Sequence, residues 1–163
     1  MTRLFVAARP SAAVVEALHR VERSDLSGVR WVPPENWHVT VHFIGSADEA
    51  RCAASLQALV APAAEAVIGG RPGRLGADAL VVPVDGLGSL AAKVRARFEG
   101  AGPRDNRPFV GHLTLARLRR RAACGVLAPF PTMGWRVDAL GLLASEPGVV
   151  AYRTVAVVAL GLS

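Results

Sequence analysis

The chain has 163 residues, 52% of them hydrophobic, and carries 19 Lys+Arg against 13 Asp+Glu for a net charge of +6. That is the size of one domain, or of two small and tightly joined lobes, with ample apolar material for a core. Its two cysteines, Cys52 and Cys124, form no CxxC and indicate neither a disulfide scaffold nor a zinc site, so a reducing interior is the natural setting.

Lys93 is the one lysine; every other basic residue is arginine. A planar guanidinium grips phosphate oxygens in pairs, but GC-rich coding produces the same bias. The charge therefore permits a polyanionic partner without requiring one. The opening Met1 to Ala8 is apolar too briefly for a signal peptide and runs straight into Arg9-Pro10. No apolar run approaches the ~18 residues of a membrane span. The expectation is a soluble, cytoplasmic protein with no membrane association.

In chain order, Leu4 to Ala8 reads as a buried strand. Ser11 to about Val21 reads as a helix, with Val14, Val15, Leu18 and Val21 at helical spacing and His19 on its solvated side. Ser24 to Gly28 is a turn, Val29 to Val32 a short extended piece, and Pro33 to Asn36 a rigid loop. A strand follows from about Trp37 to Ile44. Ser46 with Glu49 spells a capping box for a helix running to about Val60, with Ala53, Leu56, Leu59 and Val60 inward. Glu65 to Ile68 and Leu80 to Val84 read as strands around a glycine-rich basic link, Gly69 to Arg74, which suits a hairpin or loop rather than a phosphate-binding helix start. After a turn at Asp85 to Gly88 comes a third helix, Ser89 to Phe98, and a polar loop, Gly100 to Asn106. The next strand spans about Val110 to Leu118. Then come a charge run at Arg119 to Arg121, a short helix at Ala122 to Leu127, and breaks at Pro129 and Pro131. Trp135 to Leu143 and Val150 to Leu160 form a final antiparallel pair joined by Ser145 to Gly148.

Two of these strands share a spelling. Trp37-His38-Val39-Thr40-Val41-His42 and Gly111-His112-Leu113-Thr114-Leu115 both contain His-apolar-Thr-apolar. Residues two apart on a strand share a face, so each segment sets an imidazole beside a hydroxyl and sends Val39 and Val41, or Leu113 and Leu115, into the core. Each copy follows a proline-containing loop and precedes a helical stretch. This weak internal repeat predicts an α+β fold: a single domain over 1–163 of two intertwined strand-helix-strand lobes. The lobes are related by a pseudo-two-fold, and antiparallel sheets line a central cleft.

Two imidazoles on opposite sides of one reacting atom can serve as general acid and general base near neutral pH. Two threonine hydroxyls can hold the oxygens of an anionic group. In-line displacement at phosphorus needs a base on one side and an acid on the other, and it needs no metal. A lone His-x-Thr is usually structural, since Thr is a good strand residue; the doubled occurrence reverses that balance. A zinc set would need His42 or His19 as a third ligand, with no acidic residue inside either motif. No G-x-S-x-G elbow exists for a serine hydrolase. His42 shares the face of His38, at the cleft edge. Arg117 faces away from His112 and reaches the cleft only after a bulge or near the strand end.

The residues resemble the 2H phosphoesterases, named for two His-x-Thr/Ser motifs, and among them the bacterial and archaeal RNA 2′,3′-cyclic phosphodiesterases once called 2′-5′ RNA ligases. Arg3 to Ala7 looks like that family's opening strand. Arg30-Trp31-Val32-Pro33-Pro34-Glu35-Asn36-Trp37-His38-Val39-Thr40 resembles its first motif, and Arg107-Pro108-Phe109-Val110-Gly111-His112-Leu113-Thr114-Leu115-Ala116-Arg117 its second. The resemblance implies an enzyme with a bilobal fold around a V-shaped cleft. It also implies hydrolysis of a terminal 2′,3′-cyclic phosphate to a 2′-phosphate without metal or cofactor, with possible reversal to 2′-5′ ligation. By analogy His112 would accept the proton of water, His38 would protonate the leaving 3′ oxygen, and Thr40 and Thr114 would hold phosphate oxygens. His42, Phe5, Arg107 and Arg117 are the residues expected to touch the substrate. The expected partners are RNA ends or nucleotides bearing a cyclic phosphate, met by a monomer.

The sequence departs from the family in its aromatics. Leu143 and Ala144 precede Ser145-Glu146 where relatives often carry Tyr-Arg. Leu80-Val81-Val82 replaces a frequent Trp, and Leu75-Gly76-Ala77-Asp78 lacks a usual Phe-Pro. Bases stack on aromatics, which leaves Phe5, Phe43, Trp31 and Trp37 as candidate platforms. The other readings are a nucleotide- or RNA-binding module without turnover, and a phosphodiesterase for a small nucleotide or nucleotide-sugar cyclic phosphate.

Overall fold

The computed structural model describes residues 2–23, 28–119 and 127–161. The fold is mixed α+β. Its strands are β1 (Arg3–Ala8), β2 (Val29–Trp31), β3 (Val39–Gly45), β4 (Ala64–Gly70), β5 (Gly73–Leu75), β6 (Ala79–Asp85), β7 (His112–Leu118), β8 (Phe130–Val137), β9 (Ala139–Ser145) and β10 (Arg153–Ala159). The helices are α1 (Ala12–His19), α2 (Glu49–Gln57) and α3 (Gly88–Arg97). No helix among the described residues is long and apolar enough to cross a membrane.

The strands form one antiparallel sheet in the order β10-β9-β1-β3-β7-β6-β4-β8, with β2 against β7 and β5 against β6. The sheets of the two halves are continuous because β3 and β7 pair at Val39↔Leu113 and close the seam. The order is symmetric about that seam. On one side β1-α1-β3 supplies the two inner strands, and on the other β6-α3-β7 does the same. The last strands in sequence, β9 and β10, complete the half that begins the chain, while β8 completes the other against β4. Helix α1 packs on β8 and α3 packs on β3, so each repeat's helix reaches across to the other half.

One face of the curled sheet is the core. Leu4, Val6 and Ala8 of β1, Val39, Val41 and Ile44 of β3, and Leu113 and Leu115 of β7 lie there under Val14 and Leu18 of α1, Leu56 of α2, and Leu90 and Val94 of α3. The strand alternation of the sequence thus turns one side of each motif inward and leaves His38, Thr40, His112 and Thr114 on the other.

Several boundaries differ from the sequence reading. The helix expected from Ser11 begins at Ala12, with Ser11 as its cap accepting from the Val14 N–H at 3.3 Å; it ends at His19 and Val21 lies beyond it. Asp48, not Ser46, caps α2: its carboxylate accepts from the Arg51 N–H at 2.8 Å, and a charged acceptor is favoured at the positive end of a helix. Helix α2 stops at Gln57, so Leu59 and Ala61 turn inward beyond it while Val60, expected inward, is 80% exposed. The rigid loop before the first motif is a 3-10 turn over Pro34–Asn36. The glycine-rich link runs from the end of β4 into β5, which turns back on β6 just after it. The run Trp135 to Leu143 is split near Asp138 into β8 and β9, which belong to opposite halves of the sheet. β8 tolerates Pro131 because it is an edge strand. The expected turn at Ser24 to Gly28 lies outside the described residues except for Gly28; so do the helix at Ala122 to Leu127 except for Leu127, and Arg120, Arg121 and Cys124.

Candidate active site

The two motif strands run side by side on the floor of an open cleft of about 1500 Å³. Extending the antiparallel pairing Val39↔Leu113 by one residue each way sets His38 across from Thr114 and Thr40 across from His112. Directly opposed side chains on such strands lie ~5 Å apart at Cβ. Each imidazole therefore has a hydroxyl on its own strand and a second one across the seam.

Both rings are aimed in the same way. His38 Nδ1 is 2.6 Å from the Asn36 carbonyl and His112 Nδ1 is 2.7 Å from the Val110 carbonyl, in each case two residues back. A carbonyl only accepts, so Nδ1 carries the hydrogen in both and Nε2 faces the cleft. The Nε2 of His38 lies 2.9 Å from Thr40 Oγ1, whose hydroxyl donates to the neutral ring.

The surroundings of the two rings differ. His38 is enclosed by Phe5 and Tyr152, with ring centroids at 5.1 and 5.3 Å. Burial pushes its pKa down to about 4, the bond to the Asn36 carbonyl opposes this, and Arg9, Arg117 and His112 push it further down. His38 is therefore neutral at pH 7 in the empty cleft. In the unfolded chain it titrates at the ordinary 6.5. Its contribution to stability is full above pH 6.5 and is lost as pH falls toward 4, because the unfolded state takes up the proton first. Between pH ~7.5 and ~5 the wild type should lose at most about 2 kcal/mol more than His38→Gln in urea unfolding. Equal losses would show that His38 is not held neutral.

Gly111 sets the approach to His112. A Cβ there would stand 2.1 Å from the Val84 carbonyl oxygen, because the Val84 N–H bonds the Gly111 carbonyl at 2.9 Å and draws the two backbones together. Gly111→Ala should cost about 1–3 kcal/mol, the usual range for overpacking, and displace His112. Unfolding at the wild-type denaturant midpoint would contradict this.

Bulges on both motif strands decide which other side chains reach the cleft. On β7 the pairing with β6 steps from Thr114 to Ala116, leaving Leu115 extra. Leu115 and Ala116 both face the core, and Arg117 swings onto the cleft side. The condition set by the sequence, a bulge before Arg117, is met. On β3 the register against β1 slips twice, so that His42 and Phe43, between core residues Val41 and Ile44, both line the cleft. His42 stands near Phe98, with ring centroids 6.0 Å apart; desolvation and Arg95 lower its pKa while Asp105 raises it. Phe43 is 42% exposed and offers an open face.

The remaining candidates fall as follows. Phe5 lies beneath His38, 5% exposed, in a small cluster with Ala7, Leu143 and Tyr152. Trp37 is buried outside the cleft, against His19 and under Arg23. Trp31 packs at the margin of the core. Arg107 stands at the cleft mouth with its guanidinium on the Asp105 carboxylate at 2.8 Å, which holds that carboxyl well below the usual range. Arg95 donates to the carbonyls of Asp105 and Arg107 and pins this loop. The cleft walls carry Arg3, Arg95, Arg104, Arg107 and Arg117 against Asp78, Glu99 and Asp105. That balance suits an anionic ligand. Among the described residues no three His, Cys, Asp or Glu side chains come together as a metal site.

Sequence reasoning missed Tyr152 and Asn36. Tyr152 is the chain's one tyrosine and sits just before β10, where it stands edge-on to both Phe5 and His38. Its rarity was the one available signal.

Residues 6–68, which include the first motif, match the family model described as LigT like Phosphoesterase. The protein TT0787 of Thermus thermophilus is similar in structure, with a TM-score of 0.76 at 25% identity over 96% of this chain and 97% of that one. Escherichia coli LigT complexed with 3′-AMP gives 0.78 at 24% identity over 98% of each chain. The chain is thus similar to the LigT-like phosphoesterases, in sequence over those residues and in fold over nearly its whole length. Escherichia coli LigT has also been crystallised with NADP+ and with ATP. The more distant MHV ns2 PDE domain shares the fold at a TM-score of 0.57 and 14% identity, over 90% of this chain and 100% of that one. No curated protein sequence matches the chain.

Proposed function

We propose that this LigT-like protein hydrolyses terminal 2′,3′-cyclic phosphates of RNA to 2′-phosphates, without a metal ion, as a cytoplasmic monomer. The observation that carries the reading is the crosswise quartet: two imidazoles aimed by backbone carbonyls, each beside one threonine hydroxyl and across from another, on the floor of a cationic cleft. Water attacks phosphorus in line with the 3′ oxygen. His112 Nε2 takes the water proton, the P–O3′ bond breaks, and His38 Nε2 delivers a proton to the departing oxygen, leaving a 2′-phosphate and a 3′-hydroxyl. Thr40 and Thr114 donate to the non-bridging oxygens as negative charge builds on them. Arg117 adds positive charge beside the phosphate.

The acid role requires His38 to be protonated, and the ring is neutral in the empty cleft. The phosphodiester supplies the correction: a negative charge within a few ångströms favours imidazolium and raises the pKa of His38 when substrate binds. A second reading exchanges the roles, with neutral His38 accepting and His112 donating; the low pKa of His38 favours it. Reversal of either sequence, with a 5′-hydroxyl in place of water, gives 2′-5′ ligation.

The test is incubation of a short RNA ending in a 2′,3′-cyclic phosphate with the protein in EDTA, followed by resolution of the product ends. The expected product is a 2′-phosphate. A 3′-phosphate, or dependence on an added divalent ion, would overturn the reading. Absence of turnover on RNA, but not on mononucleotide or nucleotide-sugar cyclic phosphates, would narrow it to small substrates.

A further inference from the structure

Among the described residues Asn36 is the buried polar side chain, 5% exposed, and every polar atom it carries is engaged. Its carbonyl accepts from His38 Nδ1 at 2.6 Å. Its Nδ2 donates to the Val150 carbonyl at 2.6 Å, and its Oδ1 accepts from the Tyr152 N–H at 3.3 Å. The same residue thus grips the catalytic ring on one side and, on the other, a segment more than a hundred positions away. That segment carries Tyr152, whose ring stands edge-on to His38 at 5.3 Å and to Phe5 at 5.1 Å. From the opposite side Arg9 Nη1 donates to the carbonyls of Glu35 and Trp37 at 2.8 and 3.3 Å, bracketing Asn36. The Arg9 carbonyl is itself held by Trp135 Nε1 at 3.2 Å. His112 has the matching carbonyl from Val110, and its valine has no side chain with which to anchor a distant segment.

We propose that Asn36 is a positioning residue for the reaction: its carbonyl fixes the tautomer and rotamer of His38, and its amide locks the 150–152 segment that lays Tyr152 on the imidazole. The inference rests on the proposed acid–base role of His38. Asn36 reaches the chemistry only through that ring. Removing the amide leaves the carbonyl in place but frees the segment, so Tyr152 lifts, water reaches His38, and the ring loses its fixed direction.

The groups facing His38 are Arg9 just past the end of β1, Arg117 and His112 on β7, and the Tyr152 phenol. Neither Asn36→Ala nor Asn36→Ser removes any of these groups or changes a charge, so a change in His38 titration reports its enclosure. The experiment follows the imidazole nitrogens by NMR across pH ~4 to ~8 in the wild type, both Asn36 variants and Tyr152→Phe, and measures steady-state kinetics on the cyclic-phosphate RNA. Both Asn36 variants should titrate His38 at least about one pH unit higher, toward the ordinary value. They should lower kcat roughly 10–10²-fold with little change in KM, as for a misplacement of about 1 Å. Tyr152→Phe keeps the ring and the N–H and should titrate like wild type. An unshifted His38 in a folded Asn36 variant would overturn the proposal, as would failure of both variants to fold, which would make Asn36 a residue of stability alone. The NMR arm needs no substrate, so absence of turnover in the wild type would refute the proposed function while the positioning of His38 is still decided.

Discussion

Replacing either His38 or His112 with alanine should lower kcat roughly 10²–10⁴-fold, the usual worth of one general acid or base. Nucleotide binding should persist, because the arginines and hydroxyls of the cleft remain. The two losses should not add. The histidines act on opposite bonds of one displacement, so a double variant should fall little below the worse single variant. Single-turnover rates beside equilibrium binding of a nucleotide separate the effects. A loss confined to binding, with the chemical rate intact, would make the histidines ligand contacts rather than the acid and base.

The second large effect assigns the roles. A 3′-bridging sulfur leaves as a thiolate, which needs no proton from the protein. On that substrate the variant lacking the general acid should recover roughly 10²-fold or more of its lost rate, and the variant lacking the base should recover none. With His38 as the acid, His38→Ala is the variant rescued. Rescue of His112→Ala instead would exchange the two histidines, in line with the low pKa of His38 in the empty cleft. Rescue of neither would mean that breaking the P–O bond does not depend on an imidazole proton.

The sequence carried the motif strands and the core they face because both are local. Alternation of Val39, Thr40 and Val41, or of Leu113, Thr114 and Leu115, writes a buried face and a cleft face directly into neighbouring residues. The α+β class followed from the same periodicities, and the start of α1 near Ser11 from its place before an apolar run. What escaped was non-local. Strict alternation puts Arg117 and Phe43 on the wrong faces; each reaches the cleft because the neighbouring strand imposes a bulge. The run Trp135 to Leu143 reads as one strand until β4 and β1 claim its two ends for opposite halves of the sheet. Asn36 and Tyr152 meet across more than a hundred residues, and no pattern within the loop that holds Asn36 announces the partner. Phe5 reads in the sequence as a candidate platform for a base, and in the fold it lines the cleft beside His38 and Tyr152.

The central claim is that two histidines work as a coupled acid and base on one phosphate. The most direct measurement is the pH dependence of kcat, in EDTA, for the wild type and for each histidine variant. The wild type should give a bell between pH ~5 and ~9. Its acidic limb should disappear in His112→Ala and its alkaline limb in His38→Ala. A flat wild-type profile across that range, or a bell that survives in both variants, would contradict the account.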